Sequence, residues 1–472
     1  MAKILLTTPP WQPFHTLQVL FPNIPPLGLQ ILAGVLRAGG HEARVFSAQH
    51  LRPLHPQLIK TIEEFKPDII GFSNSELPNA PMVINVAREL KRRYPAVKFL
   101  AGGQAPTFKP ELFLGPAGPF DAVALYEAEG TVTRIVEALA SGATLEGVPG
   151  CVWRAPNGAL KRSAEEKVLC DLDSQPLPCW EGSLYKASFS DGLFAAVETS
   201  RGCPFRCTFC PIPSYYGAPR YKSAKRILAE LRALKALGVV EFSINDDSFA
   251  TRPEIVREMF ETMLRERMGF RFGVQIRADI IAANPALIEL GAKAGMFMAV
   301  VGFEGYTSTV QDESDKGNSG DINRTASRIL RANGVTVYGT HIFGGPASGL
   351  GDSLATFFYG RRNSDLFRMT IYTPVPGSRL YADLAGSLQL SSQNPEDFYE
   401  GKYLIKGAHN PKLVHLSYYF LLALHYALPD TLLKLFYRDQ VIRCFMRRAY
   451  RGAVYFVLGQ VFSFFKSRPK VA

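Results

Sequence analysis

Three cysteines fall within eight positions, in the run Cys203-Pro-Phe-Arg-Cys207-Thr-Phe-Cys210, a C-x3-C-x2-C spacing. On one tight loop, three thiolates can each take one iron of a cubane cluster and leave the fourth iron without a protein ligand. Clusters that only carry electrons use four cysteines, so an open iron is a place where a substrate can bind. The same run admits a three-cysteine zinc site completed by a distant His, or merely buried thiols. Zinc sites usually show paired C-x2-C knuckles, and no fitting partner pair is visible here.

The run follows the apolar stretch 194–198 and the sequence Thr199-Ser200-Arg201-Gly202, and alternation of apolar runs with helical patterns continues from residue 193 to about residue 384. Strands are predicted over 194–198, 239–245, 271–276, 297–303, 336–343 and 368–373, with helical periodicity between them. Six such units fall short of a closed eight-fold barrel. The expectation for 193–390 is therefore an open, partial (β/α)6 TIM-type barrel with its chemistry at the C-terminal strand ends. The cysteine run follows the first strand of that series, and Asp246, Asp247, Gln275, Arg277, Glu304 and Gly344 end later ones.

Residues 1–145 also alternate apolar runs with amphipathic stretches. Strands over 3–8, 43–47, 68–73, 98–101 and 121–125 predict an α/β domain, a parallel sheet wound in the Rossmann or flavodoxin manner. Ser73, Asn74, Gly102, Gly103 and Glu127 follow its strands, where such sheets hold ligands. Residues 146–192, with scattered Pro and charge, read as a linker with one hairpin. Residues 391–472 read as a helical, aromatic and basic extension.

A chain of 472 residues with 47% hydrophobic and 20% charged residues is a folded protein of more than one domain, not a disordered one. Its seven cysteines are odd in number and otherwise scattered, which excludes a secreted disulfide framework. The N-terminus reads as a buried strand rather than a signal peptide, so a cytoplasmic location is expected. Of the formal net charge of +11, residues 411–472 contribute +8, from ten Lys or Arg against two Asp. Their apolar stretches are interrupted or too short to cross a bilayer. Basic residues such as Lys434, Arg438, Arg443 and Arg447 among Leu435, Phe436 and Phe445 fit an interfacial helix, or a solvated face on a helix capping the barrel. They track no nucleic-acid-binding fold, and no nucleic-acid partner is expected.

The cysteine loop, with aromatic Phe209 before its last cysteine, resembles the cluster motif of the radical S-adenosylmethionine superfamily, and the likeness extends from about Glu198 to Tyr381. The resemblance implies a 4Fe-4S cluster on Cys203, Cys207 and Cys210, with S-adenosylmethionine chelated at the open iron. One-electron cleavage would then yield a 5'-deoxyadenosyl radical. Such a radical abstracts hydrogen from unactivated carbon, which side chains of ordinary pKa cannot deprotonate. The resemblance further implies that Asp246 and Asp247 accept the methionyl ammonium, and that Gln275 and Arg277 reach the carboxylate or ribose. Glu304 would lie near the ribose and Gly344 beside the adenine.

The segment Tyr372 to Tyr381 is similar to a closing signature of the cobalamin-linked branch of that superfamily, and residues 1–145 resemble the branch's cobalamin-binding domain. Pro25 to Leu29, Gly39-Gly40-His41, Gly102 to Thr107 and Glu127 to Thr131 carry that likeness. It assigns Ser73, Asn74, Gly102, Gly103 and Glu127 to cobalamin. The Asp-x-His-x-x-Gly cobalt-ligand motif is absent, because Pro13 and Gln18 flank His15, so no histidine is expected on cobalt. Tyr126 and Ala128 stand where the branch commonly has glycines, and Gln104 where it often has His.

The resemblance as a whole implies a class B methyltransferase-like enzyme that methylates an unactivated carbon of a hydrophobic small molecule. Its partners would be an electron donor such as flavodoxin or ferredoxin and, through the basic tail, an anionic membrane met peripherally. A radical oxidative cyclase of a tetrapyrrole-like substrate and a catalytically silent cobalamin-binding sensor are the alternatives.

Overall fold

The computed structural model describes every residue except 9, 11–23, 49–52, 117, 156, 188–190, 388, 400, 438, 448 and 451–472. In the first unit, strands β1 (Lys3–Thr8), β2 (Glu42–Ser47), β3 (Ile69–Ser73), β4 (Lys98–Gly102) and β5 (Ala122–Ala124) pair in parallel in the order 2-1-3-4-5. This is the flavodoxin type of doubly wound sheet, whose winding reverses between β1 and β3. Side-chain alternation explains why helices cover both faces. Ile4, Leu6, Ile69 and Leu100 pack to one side, while Leu5, Ile70, Phe72 and Phe99 pack to the other.

The stretch expected as a linker takes part in both sheets. The hairpin β6 (Cys151–Arg154) and β7 (Leu160–Arg162) adds antiparallel to β5. Further on, β8 (Tyr185–Lys186) pairs antiparallel with the first barrel strand, β9 (Leu193–Val197). Between them, the Cys179 N–H donates to the Gln30 carbonyl, and a Cβ on Gly34 would come within 2.4 Å of the Leu177 carbonyl oxygen. The connection is therefore packed tightly onto the helix Leu27–Ala38. Short stretches without long apolar runs gave no periodicity from which this pairing could be read.

The second unit comprises β9, then the short antiparallel pair β10 (Ser200–Arg201) and β11 (Arg220–Tyr221), then β12 (Val239–Ile244), β13 (Arg271–Arg277), β14 (Met296–Glu304), β15 (Thr336–Phe343) and β16 (Leu366–Ile371). Strands β9 and β12 to β16 are parallel neighbours in an open sheet, with β8 at one edge and β16 at the other. All six expected barrel strands are present, with ends displaced by at most two residues. Period-two alternation sorts their side chains. Phe242, Phe272, Ala299, Val301 and Val337 belong to the core shared with the helices. Ser243, Gln275, Val300, Gly302, Thr340, Arg368 and Thr370 face a cavity inside the curve.

The C-terminal region closes the barrel. Helix Pro411–Ala427 lays Val414, Tyr418 and Leu421 against Phe343 and Met369, and the Tyr418 hydroxyl donates to the Met369 carbonyl at 3.0 Å. Helical residues 440–447 bring Val441, Ile442 and Phe445 against Met298, Tyr338 and Leu366, toward the N-terminal ends of three strands. Among the described residues, no helix is long and apolar enough to cross a membrane.

Candidate functional site

The cysteine loop is held from behind by a carboxylate. Asp246, only 2% exposed at the end of β12, accepts hydrogen bonds from the backbone N–H groups of Thr199 and Ser200 at 2.6 and 3.1 Å and from both their hydroxyls. Those four bonds fill the acceptor sites of a carboxylate. Burial is the largest influence on this group and pushes its pKa up to about 6 despite the hydrogen bonds. All four acceptor sites of Asp246 are thus used within the protein, and its oxygens hold the segment that launches the loop. Asp247 is placed differently. It accepts the Gly202 N–H at 3.0 Å, borders the barrel cavity as Asp246 also does, and lies close enough to Cys203 and Cys210 to act on them electrostatically.

Gly202, at φ +81°, turns the chain from β10 into Cys203. A Cβ there would stand 3.2 Å from that of Tyr216 and in a backbone region that L-residues avoid. Within the loop, Thr208 donates its backbone N–H to the Ser314 carbonyl at 3.1 Å and accepts from the Leu380 N–H at 2.9 Å. Burial raises all three thiol pKa values, that of Cys210 to about 12. Two cations offset this at Cys207. The Arg277 guanidinium lies 3.9 Å from its Sγ and stacks 3.5 Å from the Phe205 ring centre, and Lys316 also acts on the thiol. Among the described residues no group of three His, Cys, Asp or Glu side chains converges on a single-ion site. A cubane makes a different demand, one thiolate at each of three separate corners.

Arg277 is also anchored by Asp279 at 2.9 Å and by the Lys316 carbonyl, so its place is beside the loop rather than free in the cavity. Glu304 adopts φ +58° and pairs with the Lys316 ammonium, on the cavity wall. A non-glycine residue in that conformation is strained, and such strain concentrates at functional sites. Gln275 and Phe209 line the cavity as well, Phe209 edge-on to Tyr372. Gly344 does not. At φ +73° it faces Val414 and Tyr403 of the C-terminal region, because a Cβ there would meet Val414 at 3.2 Å. The next position, Gly345, lies against Glu313, so this turn packs rather than lines.

Two cavities meet at this point. One, of about 670 Å³, fills the mouth of the barrel. The other, of about 650 Å³, lies between the barrel and the C-terminal strand ends of the first sheet, where Ser73, Asn74, Gly102, Gly103 and Glu127 all line it. Ile24, Asn245 and Arg368 line both. Sequence reasoning missed Arg368, whose only signal was a cation on an inward-facing strand position, and it missed Lys316, which stands in a loop.

The wall of the second cavity contains a buried polar group without a partner among the described residues. Asn74 is 1% exposed, and among the described residues neither its amide nitrogen nor its amide oxygen has a hydrogen-bond partner. An unpaired buried amide costs about 1–3 kcal/mol, so a ligand that pairs with it is strongly favoured. At Gly103 a Cβ would come within 2.6 Å of the Asn74 carbonyl oxygen, so the backbone must stay bare there. Tyr126 takes the left-handed φ of +51° that a glycine would take without strain. His15 lies outside the described residues.

Glu127, which lines this cavity, is also an ion-pair partner. Its carboxylate pairs with Arg201 at 2.7 Å and with Arg220. Arg201 in turn pairs with Glu129 at 2.7 Å and Glu198 at 2.9 Å, all four side chains being nearly or fully buried. Arg201 stands two residues before Cys203, so this ionic cluster joins the first domain to the root of the cysteine loop. The residues were visible in sequence; their meeting across 74 positions was not.

Comparison with known proteins gives the same two units. The B12 binding domain family matches residues 17–136, and the radical SAM superfamily matches residues 197–350. An uncharacterised methyltransferase of Pyrococcus horikoshii is 27% identical over 387 residues, covering 81% of this chain and 83% of its own. The hopanoid C-3 methylase of Methylococcus capsulatus is 28% identical over 323 residues, covering 67% of this chain and 61% of its own. The radical S-adenosylmethionine methyltransferase TsrM of Kitasatospora setae, solved with cobalamin and a 4Fe-4S cluster, superposes with a TM-score of 0.70 at 15% identity. That superposition covers 96% of this chain and all of the other.

Proposed function

We propose that this chain, a radical S-adenosylmethionine superfamily protein carrying a B12 binding domain ahead of its barrel, is a cobalamin-dependent C-methyltransferase. Its substrate is a hydrophobic small molecule, methylated at an unactivated carbon. The observation that carries the reading is the junction of the two cavities at Ile24, Asn245 and Arg368, which gives one bound molecule access to both cofactor regions.

Bound in these sites, a 4Fe-4S cluster would supply the electron that cleaves S-adenosylmethionine, and cobalamin would carry the methyl group. Cys203, Cys207 and Cys210 would hold one iron each, and the Arg277 and Lys316 charges near Cys207 favour its thiolate. Asp247 keeps acceptor capacity beyond its bond from Gly202 and suits the methionyl ammonium. Gln275 and Glu304 stand on the same cavity wall for the remaining polar groups of that molecule. On the other side, the donor and acceptor of Asn74 match the amide groups that rim a corrin, and bare Gly102 and Gly103 let a large flat ligand approach. Phe209, Met298, Val300 and Ile342 give the barrel cavity an apolar lining that excludes water and fits a hydrophobic substrate. A small donor such as flavodoxin or ferredoxin would deliver the electron. The protein would work in the cytoplasm, with peripheral contact at an anionic membrane.

The test is product analysis after anaerobic purification with iron, sulfide and cobalamin, then reduction with S-adenosylmethionine. Methylation gives S-adenosylhomocysteine together with 5'-deoxyadenosine. Oxidative cyclisation would give 5'-deoxyadenosine without S-adenosylhomocysteine, and a silent sensor would give neither.

A further inference from the structure

Large apolar side chains are unevenly exposed on this molecule. Of the seventeen that stand out among the described residues, ten lie between Leu350 and Tyr437. Helix Leu350–Asn363 presents Leu350, Leu354 and Phe358 to solvent at a four-residue spacing, so they form one stripe. Helix Pro411–Ala427 buries Val414, Tyr418, Leu421 and His425 on one face and exposes Leu413, Leu416 and Phe420 on the other, the last two at 70% and 63%. The turns that follow expose Leu433 and Phe436, Phe436 at 77%.

These helices are neighbours. Phe357 shares a core with Val414, Tyr418 and Leu421, and Arg361 donates to the His425 carbonyl and the Thr431 hydroxyl while pairing with Asp430. The two stripes therefore belong to one side of the protein. A helix that is apolar nearly all round is normally buried on every face. Pro411–Ala427 contains one Lys, two His and no Asp or Glu, yet one of its faces is open. Contiguous apolar surface on that scale marks an interaction site.

Charge identifies the partner. Among the described residues from 411 on, Lys412, Lys434, Arg443 and Arg447 stand against two acids, Asp430 and Asp439, and Asp430 is already paired with Arg361. Lys412 and Arg447 are exposed in this region, as is Arg362 on the neighbouring helix. Exposed Leu and Phe bordered by Lys and Arg is the chemistry of a surface that enters the headgroup boundary of a negatively charged bilayer. We propose that the outer face of helices Leu350–Asn363 and Pro411–Ala427, with the turns up to residue 436, docks on an anionic lipid bilayer. The inference deepens the reading of peripheral membrane contact, and it stands independently of the reaction performed in the barrel.

Flotation of the full chain, loaded with its cofactors, on vesicles tests it. Vesicles of phosphatidylcholine containing roughly a quarter phosphatidylglycerol are expected to carry about tenfold more protein than phosphatidylcholine alone, with the difference shrinking at high salt. The double variant Leu416→Glu, Phe420→Glu changes only exposed positions and is expected to lose that binding. It should retain cobalamin uptake and S-adenosylmethionine cleavage, whereas Leu160→Glu on the β7 hairpin should float like the wild type. Equal flotation of the double variant, or no preference for the charged vesicles, overturns the proposal. So does a double variant that floats normally but sediments as a smaller particle, which would make the face a contact between two copies of the chain.

Discussion

At Asp246 four hydrogen bonds converge on one buried carboxylate, whereas Asp247, the next residue, accepts the Gly202 N–H; both border the barrel cavity. Sequence placed both acids at the right strand end, but it could not divide the labour between them, because the division depends on which carboxylate faces Thr199 and Ser200. The difference is measurable. In Asp246→Asn the amide NH2 would face donors, leaving buried groups unpaired at about 1–3 kcal/mol each. Iron bound per chain should fall severalfold, while the fraction that retains its cluster should bind S-adenosylmethionine normally. In Asp247→Asn iron content should stay near wild type, and S-adenosylmethionine affinity should fall about tenfold or more, as expected when a charge-assisted bond to an ammonium is lost. Iron assay and equilibrium binding separate the two; the reverse pattern would reassign both residues.

Strand positions were legible for β1 to β5, β9 and β12 to β16, where period-two and helical patterns alternate strongly, and the cysteine loop was legible from spacing alone. The pairing of β6 to β8 and the Glu127–Arg201–Glu198 cluster were not, because neither has a local signature. That cluster fixes two elements to each other, the Glu127 loop of the first sheet and β10 of the barrel. Arg201→Gln would take the shared cation from Glu127, Glu129 and Glu198, leaving Arg220 to the first and Lys222 to the last, and breaking such a cluster costs about 3–5 kcal/mol. A lower melting temperature and weaker cobalamin binding are expected together, since Glu127 forms part of the cavity wall. Replacing all three carboxylates by Gln in that background should recover part of the stability.

A second element-level effect concerns β15. His341 is fully buried among Phe303 and Phe367, and desolvation lowers its pKa to about 4. Its neutral form is the folded one, so this contribution is complete above the unfolded value near 6.5. It is lost as pH falls toward 4, by about 3 kcal/mol in total. Denaturant melts from pH 7 to 4 should show a shallower loss in His341→Gln than in the wild type.

At the scale of the molecule, one cavity fills the barrel mouth and the other lies between the barrel and the first sheet, and the two share Ile24, Asn245 and Arg368. None of the three cysteines lines the cavity assigned to cobalamin. Cys207→Ala should therefore bind cobalamin within about twofold of wild type, by titration of its absorbance, while losing S-adenosylmethionine cleavage. The two-domain plan was visible in sequence as two alternating regions. The junction at Asn245 and Arg368 was not, since it depends on how the domains dock. The claim on which everything else depends is that three thiolates leave one iron of a cluster open to a ligand. Mössbauer spectroscopy of the anaerobically prepared protein enriched in iron-57 tests it directly. Four irons per chain are expected, one of which changes its isomer shift when S-adenosylmethionine is added. A spectrum unchanged by S-adenosylmethionine, or protein that holds zinc in place of iron, would contradict the account.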